Sequence, residues 1–566
     1  MFNYLTHNKK IFTLFIVVML LYGTTTAVVA LVLAAILEAA TGESLRLLIQ
    51  VTLFAVFFVA FYTALQYVYE KLKNIILVNA MVQLKSDVFL SIMAKTIPDF
   101  ETRNSASYIN ELTTNVNMVT ELYFANYFRL LHMSVSFSSA VAITLYFQPL
   151  LLAVMAVLGL LSFAVTKVTG KGIESATQSV SDASQSYQVG IKEYFAGFRI
   201  IKAFSIINHI NVLHGVKNQD MENKKMIYAL KTTLVGCVGQ LVGFLSTIAI
   251  MAVAAGLSIR GLVSIGTVFA VGHLMGQVTS PIHALPRIIL NFKSVKPILT
   301  NLSNIMKIKS HDDVCLKLEE VIPNIEIKNM SFSYNETPVF SSVDITIKPG
   351  KKYVILGASG SGKTTLFSLL LGYYNDYLGS IKYDEMEVRD INKADIHKKV
   401  GAVFQETFLF DDTLRNNLTL YDKRFTEDEI MDAIRNSGLI EFVNNYPGKL
   451  DGKITENGKN ISGGERQRIS LARVLLRKQK VLLLDEFTGS LDAEKAFEIE
   501  QYLLKLKGTT LLVITHRLNK TLLTQYDYVV VLKDEQIVEI GDYDELIKIN
   551  GHLASLLDRY GENLYN

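Results

Sequence analysis

Six apolar stretches crowd the first part of this 566-residue chain, at roughly 11–37, 46–69, 124–147, 150–168, 234–257 and 262–290. A helix needs about 20 mostly apolar residues to cross a bilayer, and inside the bilayer its backbone must satisfy its own hydrogen bonds. Each stretch therefore predicts a spanning helix. The first follows Lys9 and Lys10 as a secretory leader would. Its apolar core outruns the roughly 7–15 residues of a leader, so it is expected to persist as a helix.

Lysine and arginine set the sidedness, because they collect on the cytoplasmic side of a membrane. They precede the first stretch at Lys9 and Lys10, and recur between the second and third from Lys71 to Arg103 and between the fourth and fifth from Lys171 to Lys231. The remaining connections, "EAATGESLR", "YFQP" and "LSIRG", are short and hold at most one arginine each. Both termini are thus expected in the cytoplasm, and the chain is expected in a membrane, a bacterial cytoplasmic one. The two long internal connections repeat apolar residues at helical spacing, so the spanning helices should continue outside the bilayer as amphipathic rods.

Composition changes after residue 300. The expected division is a transmembrane domain over 1–300, a linker over 301–323 around "SHDDVCLKLEEVIP", and a soluble domain over 324–566. A net charge of +3 on so long a chain argues against a nucleic-acid partner. Cys237 and Cys315 show neither metal-ligand spacing nor a disulfide framework.

The soluble part opens with the alternating strand "IEIKNMSFSY", and a β-rich run then leads into "VILGASGSGKTT", Val354 to Thr365. A glycine-rich loop between a strand and a helix is a phosphate cradle. Gly357, Gly360 and Gly362, with Ser359 and Ser361 between them, let backbone N–H groups close on phosphates at a helix N-terminus. Lys363 can reach the outer phosphates, the Thr364 hydroxyl can hold Mg2+, and Thr365 completes the motif. The apolar run "VLLLDE" delivers Asp485 toward the metal and Glu486 toward an attacking water. Between these motifs, "NISGGERQRISLAR" places a Ser-Gly-Gly turn, Ser462 to Gly464, before a basic helix, which is a second anion-binding helix start.

This combination resembles the ATP-binding cassette of ABC transporters, and the six stretches ahead of it resemble the membrane domain of an ABC half-transporter of the exporter fold. The resemblance covers nearly the whole chain and implies a membrane all-α six-helix domain plus an α/β P-loop ATPase domain. It implies ATP and Mg2+ as cofactors. It also implies a second half-transporter as partner, identical or different, whose signature turn closes over this chain's nucleotide.

By position, Tyr334 in "FSYNETPVF" matches the aromatic that stacks on adenine, and Gln405 in "VFQETFLF" the loop glutamine that touches magnesium. Ser462, Gly463 and Gly464 match the signature, Asp492 in "GSLD" the interface loop, and His516 in "LLVITHRL" the histidine that contacts the γ-phosphate and orients Glu486. With Glu486 and His516 both present, a hydrolytically competent half-site is expected. The sequence also departs from the family pattern. Ile461 replaces the signature leucine and Glu465 the usual signature glutamine, Phe487 and Gly489 replace small residues and would loosen the interface loop, and "ITENGKN" lacks the common pattern ahead of the signature.

Alternating access is the family mechanism, and coupling helices are expected near Asn104–Asn115 and Asn208–Lys217. Substrate contacts are expected among polar residues of the spans, where such groups are costly in lipid: His273 and Gln277, Gln240 and His132. Gly239 with Gly243, and Gly272 with Gly276, predict close helix contacts. The resulting expectation is an ATP-driven exporter of a peptide, lipid or amphipathic small molecule. An importer of the same fold, with siderophore-like cargo, and a membrane-anchored regulatory ATPase remain as alternatives.

Overall fold

The computed structural model describes residues 2–42, 44–169, 172–307, 323–455 and 458–561. It divides into two compact units, Met1–Lys95 with Arg103–Ile308, and Thr96–Thr102 with Lys309–Asn566. Cys315 and most of the expected linker lie outside the described residues, as do Glu456 and Asn457 ahead of the signature.

The first unit is helical. Its main helices are α1 (Lys9–Thr41), α2 (Leu45–Met93), α3 (Ser105–Phe147), α4 (Pro149–Thr169), α5 (Ile207–Ile259) and α6 (Ile265–Met306), with a further helix, Ile173–Ala196, between α4 and α5. At 1.5 Å per residue the 49 residues of α2 reach about 74 Å, far beyond a hydrocarbon core of about 30 Å. The expected rods are thus continuations of the same helices for α2 and α5, whereas beyond α4 the rod is a separate helix, Ile173–Ala196. Helix α3 carries two π-helical turns, Glu111–Asn115 and Val119–Phe124.

Five of these helices, α1 to α5, are long and apolar enough to cross a membrane. Helix α6 has the length but falls short in apolarity, because Gly266, Thr267, His273, Gln277, Thr279 and Ser280 interrupt it. It packs into the interior of the unit, where Val271, Leu274 and Met275 are fully buried with Ala27 and Ala30 of α1 and Ile250 of α5. A side chain at Gly266 would collide with the Ala34 carbonyl of α1 at 2.5 Å, so only glycine permits that approach. Helix α6 also continues through Met306, into the segment expected to be linker.

Of the predicted glycine pairs, one member of each packs within the chain. A Cβ at Gly239 would lie 3.2 Å from the His283 ring and one at Gly272 would lie 2.9 Å from Met251 Sδ, whereas Gly243 and Gly276 face open space. The coupling-helix candidates also move. Asn104 is the cap that starts α3, Asn208–Lys217 falls inside α5, and the short loop helices are Ile97–Glu101 and Phe198–Ala203.

The second unit contains two sheets. One is antiparallel, in the order β2-β1-β4-β5, made of β1 (Ile325–Tyr334), β2 (Thr337–Ile347), β4 (Leu378–Tyr383) and β5 (Met386–Glu387). The other runs β10-β9-β3-β8-β7-β6, made of β3 (Lys352–Gly357), β6 (Val400–Val403), β7 (Val481–Asp485), β8 (Thr510–Ile514), β9 (Tyr528–Lys533) and β10 (Gln536–Gly541). Its ladders are parallel except for β9 with β10. Strand β3 is buried on both faces, with Tyr353 and Ile355 in one core and Val354 and Leu356 in another, as central parallel strands require. A third, helical core gathers Leu414, Ile430, Ile434 and Ile469.

Candidate functional site

The phosphate-type loop leaves the carboxyl end of β3 and enters α7 (Lys363–Leu370), the edge of a parallel sheet where ligands bind. Gly360 and Gly362 take φ values of +82° and +90°, which L side chains rarely adopt. A Cβ at Gly362 would also strike Phe340 at 2.8 Å and Val339 at 2.9 Å. Ser359 and Gly360 lie exposed at the tip, and the buried Ser361 Oγ has no partner among the described residues. An orphan hydroxyl among backbone N–H groups suits an anion, so the loop fits a phosphate chain.

Lys363 folds back within this loop, donating to the carbonyls of Gly357 at 2.9 Å and Ala358 at 2.7 Å. Burial holds its ammonium below the ordinary lysine value, and the charges of Glu486 and Asp485 partly offset that shift. Thr364 Oγ1 donates to Asp485 Oδ2 at 2.5 Å. Burial pushes the Asp485 carboxyl up, and the Thr364 bond opposes the push. A hydroxyl beside a carboxylate is an all-oxygen donor set, the chemistry that suits a hard divalent cation.

Neighbouring strands supply the rest. Glu486 follows β7, His516 follows β8, and Gln405 follows β6 after Phe404, so strand order delivers all three to one end of the sheet. The Glu486 carboxylate lies 2.8 Å from His516 Nε2 through one oxygen and accepts from Gln405 Nε2 at 2.7 Å through the other. Glu486 itself has φ +46°, a conformation that costs a non-glycine residue energy and persists where its surroundings hold it. The Tyr334 hydroxyl donates to Thr365 Oγ1 at 3.3 Å, and its ring stands edge-on to Phe332 and Tyr374 while remaining 39% exposed.

The Ser-Gly-Gly turn stands apart from this cluster. Ser462 caps α8 (Gly463–Leu476), which packs against β6, while β8 and β7 separate β6 from β3. Ser462 and Glu465 form a capping box, with Ser462 N donating to Glu465 Oε2 at 2.7 Å and Glu465 N to Ser462 Oγ at 3.3 Å. The glutamate that departs from the family glutamine therefore secures the helix start. A Cβ at Gly464 would lie 2.8 Å from the Ser490 carbonyl, so the turn packs directly on the loop after β7.

That loop is held firmly, contrary to the expected loosening. Phe487 is buried in the core, Gly489 N donates to the Glu486 carbonyl at 3.0 Å, and an Arg517 guanidinium donates to the Leu491 carbonyl at 2.6 Å. Asp492 ends the loop as cap of the helix Ala493–Leu504, and the Lys495 N–H at 2.8 Å holds its carboxyl below the usual range. Sequence reasoning missed Gln467, Arg517, and the buried pair Glu500 and Tyr526. The only signal was proximity, since Gln467 follows the signature turn and Arg517 follows His516.

The polar residues of the membrane helices are dispersed. His273 Nε2 lies 3.4 Å from the Thr26 carbonyl of α1, and His132 stacks on Tyr22 with ring centroids 4.8 Å apart. Gln240 is exposed on α5 and Gln277 half-buried on α6. Among the described residues, no hydrogen bond or ring contact joins any two of these four.

A P-loop ATPase carried on helices of this length is an ATP-driven membrane transporter, with hydrolysis coupled to transport. Comparison with known proteins makes the family explicit. The family model for the ABC transporter transmembrane region matches residues 12–282, and that for the ABC transporter matches residues 340–489. An ATP-dependent lipid A-core flippase of Syntrophus aciditrophicus is 30% identical over 486 residues, 84% of this chain and 79% of its own. Another protein of that name, from Photobacterium profundum, is 26% identical over 484 residues, 84% of this chain and 82% of its own. Among solved structures, a bacterial Atm1-family ABC exporter with ATP bound superposes with a TM-score of 0.82 at 18% identity, covering 97% of this chain and 98% of that one. The chain belongs to the ABC transporters, as a half-transporter of the exporter fold that binds ATP and acts as a dimer.

Proposed function

We propose that this chain exports an amphipathic substrate, lipid-like before peptide or drug, across a bacterial cytoplasmic membrane, with both termini in the cytoplasm. The observation that carries the reading is the convergence of Gln405 and His516 on the two oxygens of Glu486, beside a loop built for phosphates. Two relatives named as lipid A-core flippases support the lipid-like cargo. The lysine and arginine bias of the internal loops supports the orientation.

In this reading Glu486 accepts a proton from the attacking water, His516 orients the carboxylate and contacts the γ-phosphate, and Gln405 reports the state of the site. Lys363 leaves the loop carbonyls for the phosphates, the backbone from Gly357 to Thr365 cradles them, and Tyr334 stacks on adenine. Thr364, Asp485 and Gln405 would hold Mg2+, which supplies charge neutralisation at the phosphates when bound. Ser462, Gly463, Gly464 and Asp492 face the nucleotide held by the partner subunit. His273, Gln277, Gln240 and His132 are the substrate-contact candidates.

The test is transport by the purified chain in proteoliposomes, read as ATP-dependent loss of a fluorescent phospholipid from the leaflet on the cassette side. Movement toward the opposite leaflet is the expected result. Turnover that ignores every amphiphile, with no lipid movement, would instead mark a membrane-anchored regulatory ATPase, and reverse movement an importer. Robust ATPase by the chain alone would favour a homodimer, and silence a heterodimer.

A further inference from the structure

One side chain joins the signature helix to the strained glutamate. Gln467 lies one turn into α8, on the same face as Gly463 and Gly464, and is only 7% exposed. Its Nε2 donates to the Glu486 carbonyl at 3.3 Å, and its Oε1 accepts from Ser490 N at 3.1 Å. Both ends of this amide are therefore spent on the loop that carries Glu486 toward Asp492.

The backbone of Glu486 needs such support. At φ +46° it sits in the left-handed region, and its N–H donates to the Ile514 carbonyl at 3.0 Å while its carbonyl accepts from Gly489 N at 3.0 Å. Among the described residues, Gln467 supplies the one bond to that carbonyl that comes from outside the loop. We infer that Gln467 is a positioning residue for ATP hydrolysis. It holds Glu486 in the conformation that presents its carboxylate to His516 and Gln405, and it ties that conformation to the Ser462–Gly464 turn. Movement of the turn then alters the glutamate of the same subunit.

This inference rests on Glu486 being the hydrolytic base, so the test separates the two. Gln467→Met keeps the shape and loses both bonds, and Gln467→Glu keeps the acceptor for Ser490 N–H while losing the donor to Glu486. Each is placed in the full chain, in the parent and in a Glu486→Gln background, and single-turnover ATP cleavage is measured beside ATP affinity. The expected result is a fall of about 10-fold in the parent background, the worth of one well-placed hydrogen bond in the transition state. ATP affinity should stay within about two-fold, and no further fall should occur on Glu486→Gln, because residues acting as a unit are not additive. Parent-like cleavage in both variants overturns the inference, and so does an equal fall in both backgrounds, which is what a merely structural role gives. Parent-like cleavage by Glu486→Gln alone overturns the assignment of the base itself.

Discussion

Replacing Glu486 with glutamine puts the hydrolytic assignment to its sharpest test, because the two side chains have nearly the same shape. In the parent, both carboxylate oxygens are engaged, one 2.8 Å from His516 Nε2 and the other accepting from Gln405 Nε2 at 2.7 Å. An amide offers one acceptor and one NH2 group, so its oxygen can keep the Gln405 bond while its NH2 faces His516 Nε2, which accepts it only as the tautomer protonated at Nδ1. The ground-state loss is at most one hydrogen bond, about 1 kcal/mol, too little to unfold the domain. The kinetic loss is larger, since a positioned general base contributes roughly 10²–10⁴-fold, or about 3–5 kcal/mol of barrier. Phosphate release by the purified transporter in lipid nanodiscs should therefore fall by at least about 100-fold. ATP binding should remain, and a closed dimer should accumulate on size-exclusion chromatography with ATP. Turnover within a few-fold of the parent would refute the argument, because no other carboxylate in the cluster is free of the phosphate and metal roles given to Asp485.

Tyr526→Phe should destabilise the second unit, because the Tyr526 hydroxyl donates to the Glu500 carboxylate at 2.6 Å and Glu500 is only 3% exposed. Leaving a buried carboxylate short of a donor costs about 2 kcal/mol, or roughly 4–8 °C in Tm for a unit of this size. Burial already holds Glu500 above the usual carboxyl value. A raised folded-state value means stability is lost as pH rises from the ordinary glutamate range toward the folded one. The variant raises it further, so its deficit in thermal unfolding should be larger at alkaline than at acidic pH, and a deficit that grows on acidification would contradict this account. Glu465→Gln should leave Tm nearly unchanged, since an amide oxygen can still accept from Ser462 N–H, whereas Glu465→Ala should lower stability by about 1 kcal/mol through loss of the capping box. Equal Tm for the two variants would show that the box contributes nothing.

What the sequence determined by itself is what depends on short range. Apolar length marked the membrane helices, because the bilayer sets that length whatever the neighbours do. The glycine spacing of the phosphate loop was equally plain, because the left-handed backbone at Gly360 and Gly362 is a local demand that glycine meets. Even Glu465, a departure from the family pattern, carried a local signal, since a serine followed by a glutamate three residues on is a capping box.

Tertiary structure decided everything that joins distant residues. Thr364 and Asp485 are 121 positions apart, and Gln405 and Glu486 are 81 apart, and only the order β3-β8-β7-β6 brings them to one edge. Helix α6 takes its place from packing, with buried apolar contacts accommodating polar residues and prolines that depress its own apolarity. Neither Gly243 nor Gly276 could be told from its packed neighbour in sequence, because which face of a helix meets a partner is a property of the pair. The bond from Gln467 to the Glu486 carbonyl is the extreme case. A glutamine in a basic helix carries no mark of its use until the fold sets a strained carbonyl within its reach.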